Sequence, residues 1–264
     1  MADRLPHALR DHDELVAALG GRWPAVFLDY DGVLTPIVDR PEDAWMSEPM
    51  RRVVADLATR CTVCVVSGRD RAVVQDLMGV TDLVIAGSHG FDIWHPERGT
   101  LTHEAASGFE ELVDEVSGLL REEVGSIPGV LVEQKRASVA VHYRLADPDG
   151  QRRVRELVDR LLAGRADELK VTPGKMVYEL QPKLDWNKGR AVSYLLDTLG
   201  LTGDDTVPIY LGDDVTDEDA FRALRGLGVS IYVGQPDELD RDTAADFTLG
   251  SPAEVERFLD TLAR

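Results

Sequence analysis

The chain has 264 residues, of which 44% are hydrophobic and 29% charged, and its formal net charge is -19. Nucleic acids and anionic membranes bind clustered lysine and arginine, so this charge argues against both as partners. No apolar run approaches the roughly 20 residues of a membrane span. The first residues lack the basic start and apolar stretch of an export signal, so we expect a cytoplasmic protein.

The first hundred residues alternate short apolar strands with amphipathic helices. We predict helices at about residues 11–19, 50–60 and 71–78, and strands that end at residue 29 and span 63–66 and 83–86. Continuous apolar strands between helices are typical of a parallel sheet that is covered on both faces.

The pattern changes near residue 105. We predict a helix at 109–123, strands at 130–134 and 138–144, a helix at 152–162, and strands at 169–172 and 176–180. The strands of this αββαββ module alternate polar and apolar residues, so one face of its sheet is predicted to be open, as in a lid. We expect an inserted cap at residues 106–182.

From residue 185 the first pattern resumes. We predict a helix at 188–199, a strand at 207–212, a helix at 217–225, a strand at 229–233 and a final helix from residue 252. The predicted fold is therefore α/β: a Rossmann-like parallel-sheet core of residues 1–105 and 183–264, interrupted by the αββαββ cap.

Two carboxylates, Asp29 and Asp31, leave the first strand and enter a glycine turn. Residues two apart in a strand face the same way, so both are predicted at the carboxyl edge of the sheet, where open α/β sheets bind ligands. We interpret Asp29 as a nucleophile that attacks phosphorus. Asp31 would protonate the leaving oxygen and later deprotonate water.

Other polar residues lie beside the remaining core elements: Ser67 with Gly68, Lys188, and Asp213 with Asp214 and Asp217. Ser67 is predicted to hydrogen-bond a phosphate oxygen, and Lys188 to neutralise charge in the transition state. Mg²⁺ prefers oxygen ligands, which Asp213, Asp29 and the backbone carbonyl of Asp31 would supply. Asp214 and Asp217 would hold the waters on that ion.

Each fragment alone has a simpler interpretation. An Asp-x-Asp-Gly sequence also begins calcium loops, but Val33, Leu34 and Pro36 follow here instead of oxygen ligands. Cys61 and Cys64 form Cys-x-x-Cys at the entry to a strand, with no second cysteine pair, which favours two reduced thiols over a redox or zinc site. Only the ordered set of four groups indicates phosphoryl transfer.

These four groups resemble the four motifs of the haloacid dehalogenase superfamily of phosphatases, over about residues 25–224. The insert lies where that superfamily carries a C2-type cap. The stretch from Gly212 to Phe221 is the most specific part of a closer resemblance to trehalose-6-phosphate phosphatases. The resemblance implies Mg²⁺-dependent hydrolysis of trehalose 6-phosphate, a small sugar phosphate, through an aspartyl phosphate. We expect a monomer.

The insert also resembles this family in Glu133, Lys135 and Glu179, the last in a motif that begins at Lys175. The resemblance implies that these two glutamates and Lys135 hydrogen-bond hydroxyls of the glucose ring farther from the phosphate. Carboxylates accept from paired hydroxyls and an ammonium donates. Surface charges on an exposed sheet face are the other interpretation.

His89 follows the third strand, and we predict it to line the substrate cleft, with a structural turn residue as the alternative. His142 alternates with apolar neighbours and is predicted to be structural. Three other functions stay open: a phosphatase for another disaccharide or glycosyl phosphate, a catalytically silent sugar-phosphate sensor, and a phosphomutase.

Overall fold

The structure is a computed structural model that describes residues 5–174, 176–235 and 242–263. The chain divides into two compact units, Met1–Leu101 with Trp186–Arg264, and Thr102–Asp185. Across the described ranges, no helix combines the length and the apolar character needed to cross a membrane.

The strands are β1 Trp23–Leu28, β2 Val63–Val66, β3 Val84–Gly87, β4 Asp92–His95, β5 Gly99–Leu101, β6 Leu131–Gln134, β7 Val139–His142, β8 Leu169–Gly174, β9 Val177–Pro182, β10 Thr206–Gly212, β11 Val229–Val233 and β12 Phe247–Leu249. The helices are α1 His12–Leu19, α2 Glu48–Ala58, α3 Arg71–Met78, α4 Glu110–Val124, α5 Pro148–Gly164, α6 Lys188–Thr198, α7 Glu218–Leu224 and α8 Pro252–Leu262.

The first unit is built on a sheet with the strand order β12-β11-β10-β1-β2-β3-β4-β5. The strands from β12 to β3 are parallel, whereas β4 and β5 extend the sheet antiparallel. Leu28 in β1 lies opposite both Leu211 in β10 and Val65 in β2. The carboxyl ends of three neighbouring strands therefore meet at one level, which brings the residues after them together.

The central strands are apolar because both faces of the sheet are covered. All four residues of β2 are buried, as are the last four of β1. In α2 the buried residues are Met50, Val54 and Leu57, at the spacing of one helix face. This helix begins with Ser47, whose hydroxyl accepts from the Met50 backbone N–H at 3.2 Å.

The second unit has an antiparallel sheet with the order β6-β7-β9-β8, against which α4 and α5 pack. The side chain of Gln134 donates to Asp114 in α4, so Gln134 faces the helices. Val139 and Leu180 lie beside Gln134 on the neighbouring strands and therefore face the helices as well. Alternation then places Glu133 and Glu179, which flank Ala140, on the opposite face. The element order α4-β6-β7-α5-β8-β9 agrees with the predicted αββαββ module.

Three strands were not predicted from the sequence: β4, β5 and β12. Each has three or four residues, so the period of its side chains is too short to recognise. β12 is completed by tertiary pairing, since the backbone N–H of Thr248 donates to Pro6 at 2.9 Å and its carbonyl accepts from Ala8 at 3.0 Å.

We predict that Tyr30→Phe lowers the free energy of unfolding by about 1–3 kcal/mol, the cost of leaving a buried acceptor unpaired. The Tyr30 hydroxyl donates to the buried carbonyl of Ala44 at 2.6 Å and ties the segment after β1 to the segment that precedes α2. Urea denaturation measures the change. Unchanged stability would show that this hydrogen bond does not hold the segment.

Candidate active site

Asp29 is the first residue after β1, and only 5% of its surface is exposed. Its backbone N–H donates to Leu211 of β10 at 2.9 Å, and its Oδ1 accepts from the Tyr30 N–H at 2.7 Å. Burial raises the pKa of Asp29 well above its usual value, and the opposing effect comes from Lys188. The buried Asp29 carboxylate at the edge of the sheet is thus stabilised in its charged form by the ammonium group of Lys188.

Lys188 begins α6 and is 3% exposed. Its Nζ lies 2.9 Å from Asp29 Oδ2 and 2.7 Å from Asp217 Oδ1. Burial opposes the charged form, but Asp217 and Asp29 outweigh it and raise the pKa of the Lys188 ammonium. This lysine is therefore a fixed cation beside the nucleophile predicted from the sequence.

Asp217 is fully buried and accepts from four donors among the described residues. Its Oδ1 receives the Lys188 ammonium and, at 2.7 Å, the Tyr210 hydroxyl. Its Oδ2 receives the backbone N–H groups of Asp213 at 3.0 Å and Asp214 at 2.9 Å. Burial raises the pKa of Tyr210 well above its usual value, so the phenol stays a donor. Asp217 thus fixes both the lysine and the turn that carries Asp213.

A metal-binding arrangement is present at the same edge. Within the described chain, Asp29, Asp213 and Asp217 form a group whose carboxylate oxygens lie within 4.8 Å of one another. Burial, followed by Asp217, raises the pKa of Asp213 to about 7. A divalent cation would favour the charged carboxylates, and an all-oxygen donor set suits Mg²⁺. Asp29 and Asp213 can supply oxygen ligands to such an ion, whereas both oxygens of Asp217 already accept hydrogen bonds.

Gly32 is required for this arrangement. Its φ is +71°, and a Cβ at this position would lie 2.0 Å from Asp213 Oδ2. The glycine of the turn after Asp31 therefore lets the chain pass directly beside a proposed metal ligand.

Asp31 lies outside that carboxylate group and is paired with Arg69. Arg69 Nε and Nη2 donate to the two Asp31 oxygens, each at 2.7 Å. Arg69 Nη1 donates to the Pro41 carbonyl at 2.7 Å, and the guanidinium lies over the Tyr30 ring at 5.8 Å. The candidate acid is oriented by a bidentate ion pair.

Asp214 is likewise outside the carboxylate group of Asp29. It precedes the short 3-10 turn before α7, and its Oδ1 accepts from the Val215 N–H at 2.6 Å. With Asp217 it forms a reciprocal capping box. The observed role of Asp214 is therefore to cap this turn.

Ser67 and Gly68 follow β2. Ser67 is 1% exposed, and its hydroxyl oxygen accepts from the Arg69 N–H at 3.1 Å. The Ser67 carbonyl accepts from the His89 N–H at 2.8 Å. The structure thus joins the candidate phosphate loop to the turn that follows β3.

The candidate sugar-binding residues lie on the open face of the second unit. Lys135 Nζ donates to Glu179 Oε1 at 3.2 Å, and the Ser138 hydroxyl donates to the same oxygen at 2.7 Å. Glu133 Oε2 lies 2.9 Å from His142 Nε2. The two glutamates and Lys135 are brought to one sheet face, whereas Lys175 lies outside the described residues.

Sequence reasoning missed several partners in these groups: Tyr210, Arg69, Ser138 and His142. Tyr210 lies inside an apolar strand, where a tyrosine looks like any other core residue. Arg69 immediately follows the predicted phosphate loop, so its position was a usable signal. Ser138 and His142 share a face with the glutamates, and the strand alternation alone could have identified them.

We predict that Asp217→Asn destabilises the protein by about 3–5 kcal/mol, because it leaves the buried Lys188 with a weaker set of partners. The asparagine amide would also place its NH₂ group against N–H or O–H donors that in the wild-type protein donate to a carboxylate oxygen of Asp217. Asp214→Asn is the matched control, since its side chain is exposed and accepts only from backbone N–H groups of the turn. Equal losses in urea denaturation for the two variants would contradict this role of Asp217.

Comparison with known proteins identifies close relatives. The sequence model of the trehalose-phosphatase family matches residues 27–253. The trehalose-phosphate phosphatase of Mycolicibacterium paratuberculosis is 46% identical over 250 residues, which cover 93% of this chain and 63% of that protein. The Mycobacterium tuberculosis protein of the same name is 43% identical over 263 residues, covering 99% and 66%. The chain thus spans slightly less than two thirds of the length of these relatives.

Solved structures share the fold. The C-terminal domain of Candida albicans trehalose-6-phosphate phosphatase is 25% identical, with a TM-score of 0.74 over 100% of this chain and 99% of that one. An Aspergillus fumigatus trehalose-6-phosphate phosphatase is 31% identical, with a TM-score of 0.66 over 98% and 99%. A haloacid dehalogenase-like hydrolase from Bacteroides thetaiotaomicron, 16% identical, has a TM-score of 0.65 over 91% and 99%. The fold is that of haloacid dehalogenase-like hydrolases, and the chain belongs to the trehalose-phosphatase family.

Proposed function

We propose that this chain hydrolyses trehalose 6-phosphate to trehalose and inorganic phosphate. The observation that carries the proposal is the buried Asp29 carboxylate, held 2.9 Å from the Lys188 ammonium and grouped with Asp213. Two relatives at 43% and 46% identity bear the name trehalose-phosphate phosphatase, which supports this substrate.

The first step is a displacement at phosphorus. A carboxylate oxygen of Asp29 attacks, the bond between phosphorus and the sugar oxygen breaks, and Asp31 gives a proton to that oxygen. The product is free trehalose and an aspartyl phosphate. Lys188 remains charged throughout and offsets the negative charge that gathers around Asp29 and the phosphoryl group.

The second step regenerates the enzyme. Water attacks phosphorus and loses a proton to Asp31, the bond from phosphorus to Asp29 breaks, and phosphate leaves. We propose that Ser67 and the Gly68 backbone hydrogen-bond the phosphoryl oxygens. The Ser67 hydroxyl is held by the Arg69 N–H, which fixes where its own proton can point.

Asp29 and Asp213, with the Asp31 backbone carbonyl, would hold Mg²⁺. When bound, the ion supplies positive charge that favours approach of a carboxylate to a phosphate dianion. Asp217 already accepts four hydrogen bonds, so we assign it to positioning the turn and Lys188. Asp214 would act on the ion only through water.

We propose that the first unit is the catalytic core and the second a cap that selects the substrate. Glu133, Lys135 and Glu179 would bind sugar hydroxyls. Ser138 and Lys135 both hold one oxygen of Glu179, so that carboxylate is oriented before a sugar arrives. Preorganised acceptors of this kind discriminate among sugars through the placement of their hydroxyls.

A panel of phosphate esters tests the reaction. We expect trehalose 6-phosphate to give the highest kcat/KM, turnover to stop when divalent cations are chelated, and Mg²⁺ to restore it. A higher kcat/KM for another disaccharide phosphate would replace the proposed substrate. An isomeric sugar phosphate in place of free phosphate would identify a mutase, and binding without turnover would identify a sensor.

We predict that Asp29→Asn lowers kcat by at least about 10⁴-fold, because an amide cannot attack phosphorus. Asp56→Asn, on the exposed face of α2, is the control and should keep wild-type turnover. Phosphate release is measured for both proteins, and circular dichroism checks the fold. Turnover of Asp29→Asn within tenfold of wild type would eliminate Asp29 as the nucleophile.

We predict that Lys135→Met and Glu179→Gln each raise the KM for trehalose 6-phosphate about 10-fold or more, as loss of a hydrogen bond to a charged group does. Hydrolysis of p-nitrophenyl phosphate, which has no sugar hydroxyls, should keep its kinetic constants. Lys170→Met, on the same sheet, controls for the loss of a lysine. Equal loss on both substrates would show that the cluster acts on stability or chemistry instead of sugar binding.

A further inference from the structure

The turn after β3 has an unusual backbone. Ser88, His89 and Gly90 follow one another with φ values of +50°, +56° and +91°. In the described part of the chain, Met176 is the only other non-glycine residue with a positive φ. Side chains at such positions cost free energy and persist where the surroundings impose them, often at functional sites.

Contacts on several sides hold this turn. The Ser88 N–H donates to the Arg69 carbonyl at 2.7 Å, and the Ser88 hydroxyl donates to Asp70 Oδ1 at 2.5 Å. The His89 N–H donates to the Ser67 carbonyl at 2.8 Å. The backbone is therefore bonded residue by residue to the loop that we propose binds phosphate.

The other side of the turn meets the lysine helix. A Cβ on Gly90 would lie 2.3 Å from the Cβ of Ala191 in α6. The turn is thus enclosed between the Ser67 loop and the helix that begins with Lys188, and it cannot relax toward either. Because contacts fix the turn on both sides, its strained conformation persists.

The strain places one particular side chain. A Cβ on Gly68 would lie 2.7 Å from His89 Cε1 and 2.9 Å from His89 Nε2. The Cε1 and Nε2 atoms of the imidazole therefore lie against Gly68, where a side chain at position 68 would collide with the ring. His89 as a whole is half-buried, so part of the residue reaches solvent.

We propose that this strained turn holds His89 at the phosphate loop, where a ring N–H donates to a non-bridging oxygen of a phosphate monoester. The inference deepens the proposed function and rests on it. A turn needed only for chain reversal would be less strained with asparagine or glycine at 89, since both adopt this conformation more readily. The proposal accounts for a histidine, instead of asparagine or glycine, at this strained position.

Kinetics of His89→Asn test the proposal. Asparagine tolerates the backbone, so we expect the melting temperature to stay the same or rise by a few degrees. We expect kcat/KM to fall about 10- to 100-fold, as loss of a hydrogen bond to a charged oxygen does. The fall should be equal for trehalose 6-phosphate and p-nitrophenyl phosphate, because both carry the phosphate.

His95→Asn is the matched control. This variant removes an imidazole from β4. Asp92 in β4 pairs with Gly87, the residue before the strained turn, and His95 lies three residues, or about 10 Å, further along β4. We expect wild-type kinetics for this variant. If His89→Asn keeps wild-type kcat/KM, or lowers the melting temperature while kcat per folded molecule is unchanged, His89 is a structural residue and the proposal is wrong.

Nuclear magnetic resonance with inorganic phosphate gives a test that does not depend on turnover. The imidazole signals of His89 are assigned in ¹⁵N-labelled wild-type protein by their absence in His89→Asn. We expect phosphate to shift these signals saturably, with His95 unchanged. An unshifted His89 overturns the inference even in an active enzyme, whereas a shifted His89 in a protein without phosphatase activity would reject only the proposed function.

Discussion

One buried ammonium group between two carboxylates organises the first unit. Lys188 Nζ meets Asp29 and Asp217 at 2.9 and 2.7 Å, and the three side chains are 2%, 8% and 0% exposed. Removing one partner of such a pair leaves an uncompensated buried charge, which costs about 3–5 kcal/mol. The ends of β1 and β10 and the start of α6 are thereby held to one relative position. Everything proposed about the chemistry requires that position.

The second unit also pairs basic side chains with carboxylates, but these side chains are more exposed to solvent. The side chains of Lys135 and Glu179 are 23% and 21% exposed, and those of Glu133 and His142 are 51% and 43% exposed. Partly hydrated pairs contribute little to stability, so these residues are free to exchange partners with a ligand. A nucleophile gains from being fixed, whereas a sugar-binding surface gains from oriented groups that still reach solvent.

The arrangement at the sheet edge could be predicted because parallel strands have a simple rule: residues after their carboxyl ends converge. That rule placed Asp29 and Asp213 together from the sequence, whereas Lys188 begins a helix and was assigned from the charge it would neutralise. The roles of Asp31 and Asp214 were harder, since a carboxylate near a metal site can equally pair with an arginine or cap a turn. Only coordinates show that Asp31 meets Arg69. The strain at His89 has no sequence signature, because nothing in Ser88-His-Gly requires a positive φ.

Detection of the covalent intermediate tests the central claim most directly. The protein is mixed rapidly with trehalose 6-phosphate and Mg²⁺, quenched, and treated with borohydride, which reduces an aspartyl phosphate to homoserine. Peptide mass spectrometry then locates the change. The account predicts homoserine at position 29 and nowhere else. Phosphate release without modification of Asp29, or with modification of another carboxylate, would contradict it.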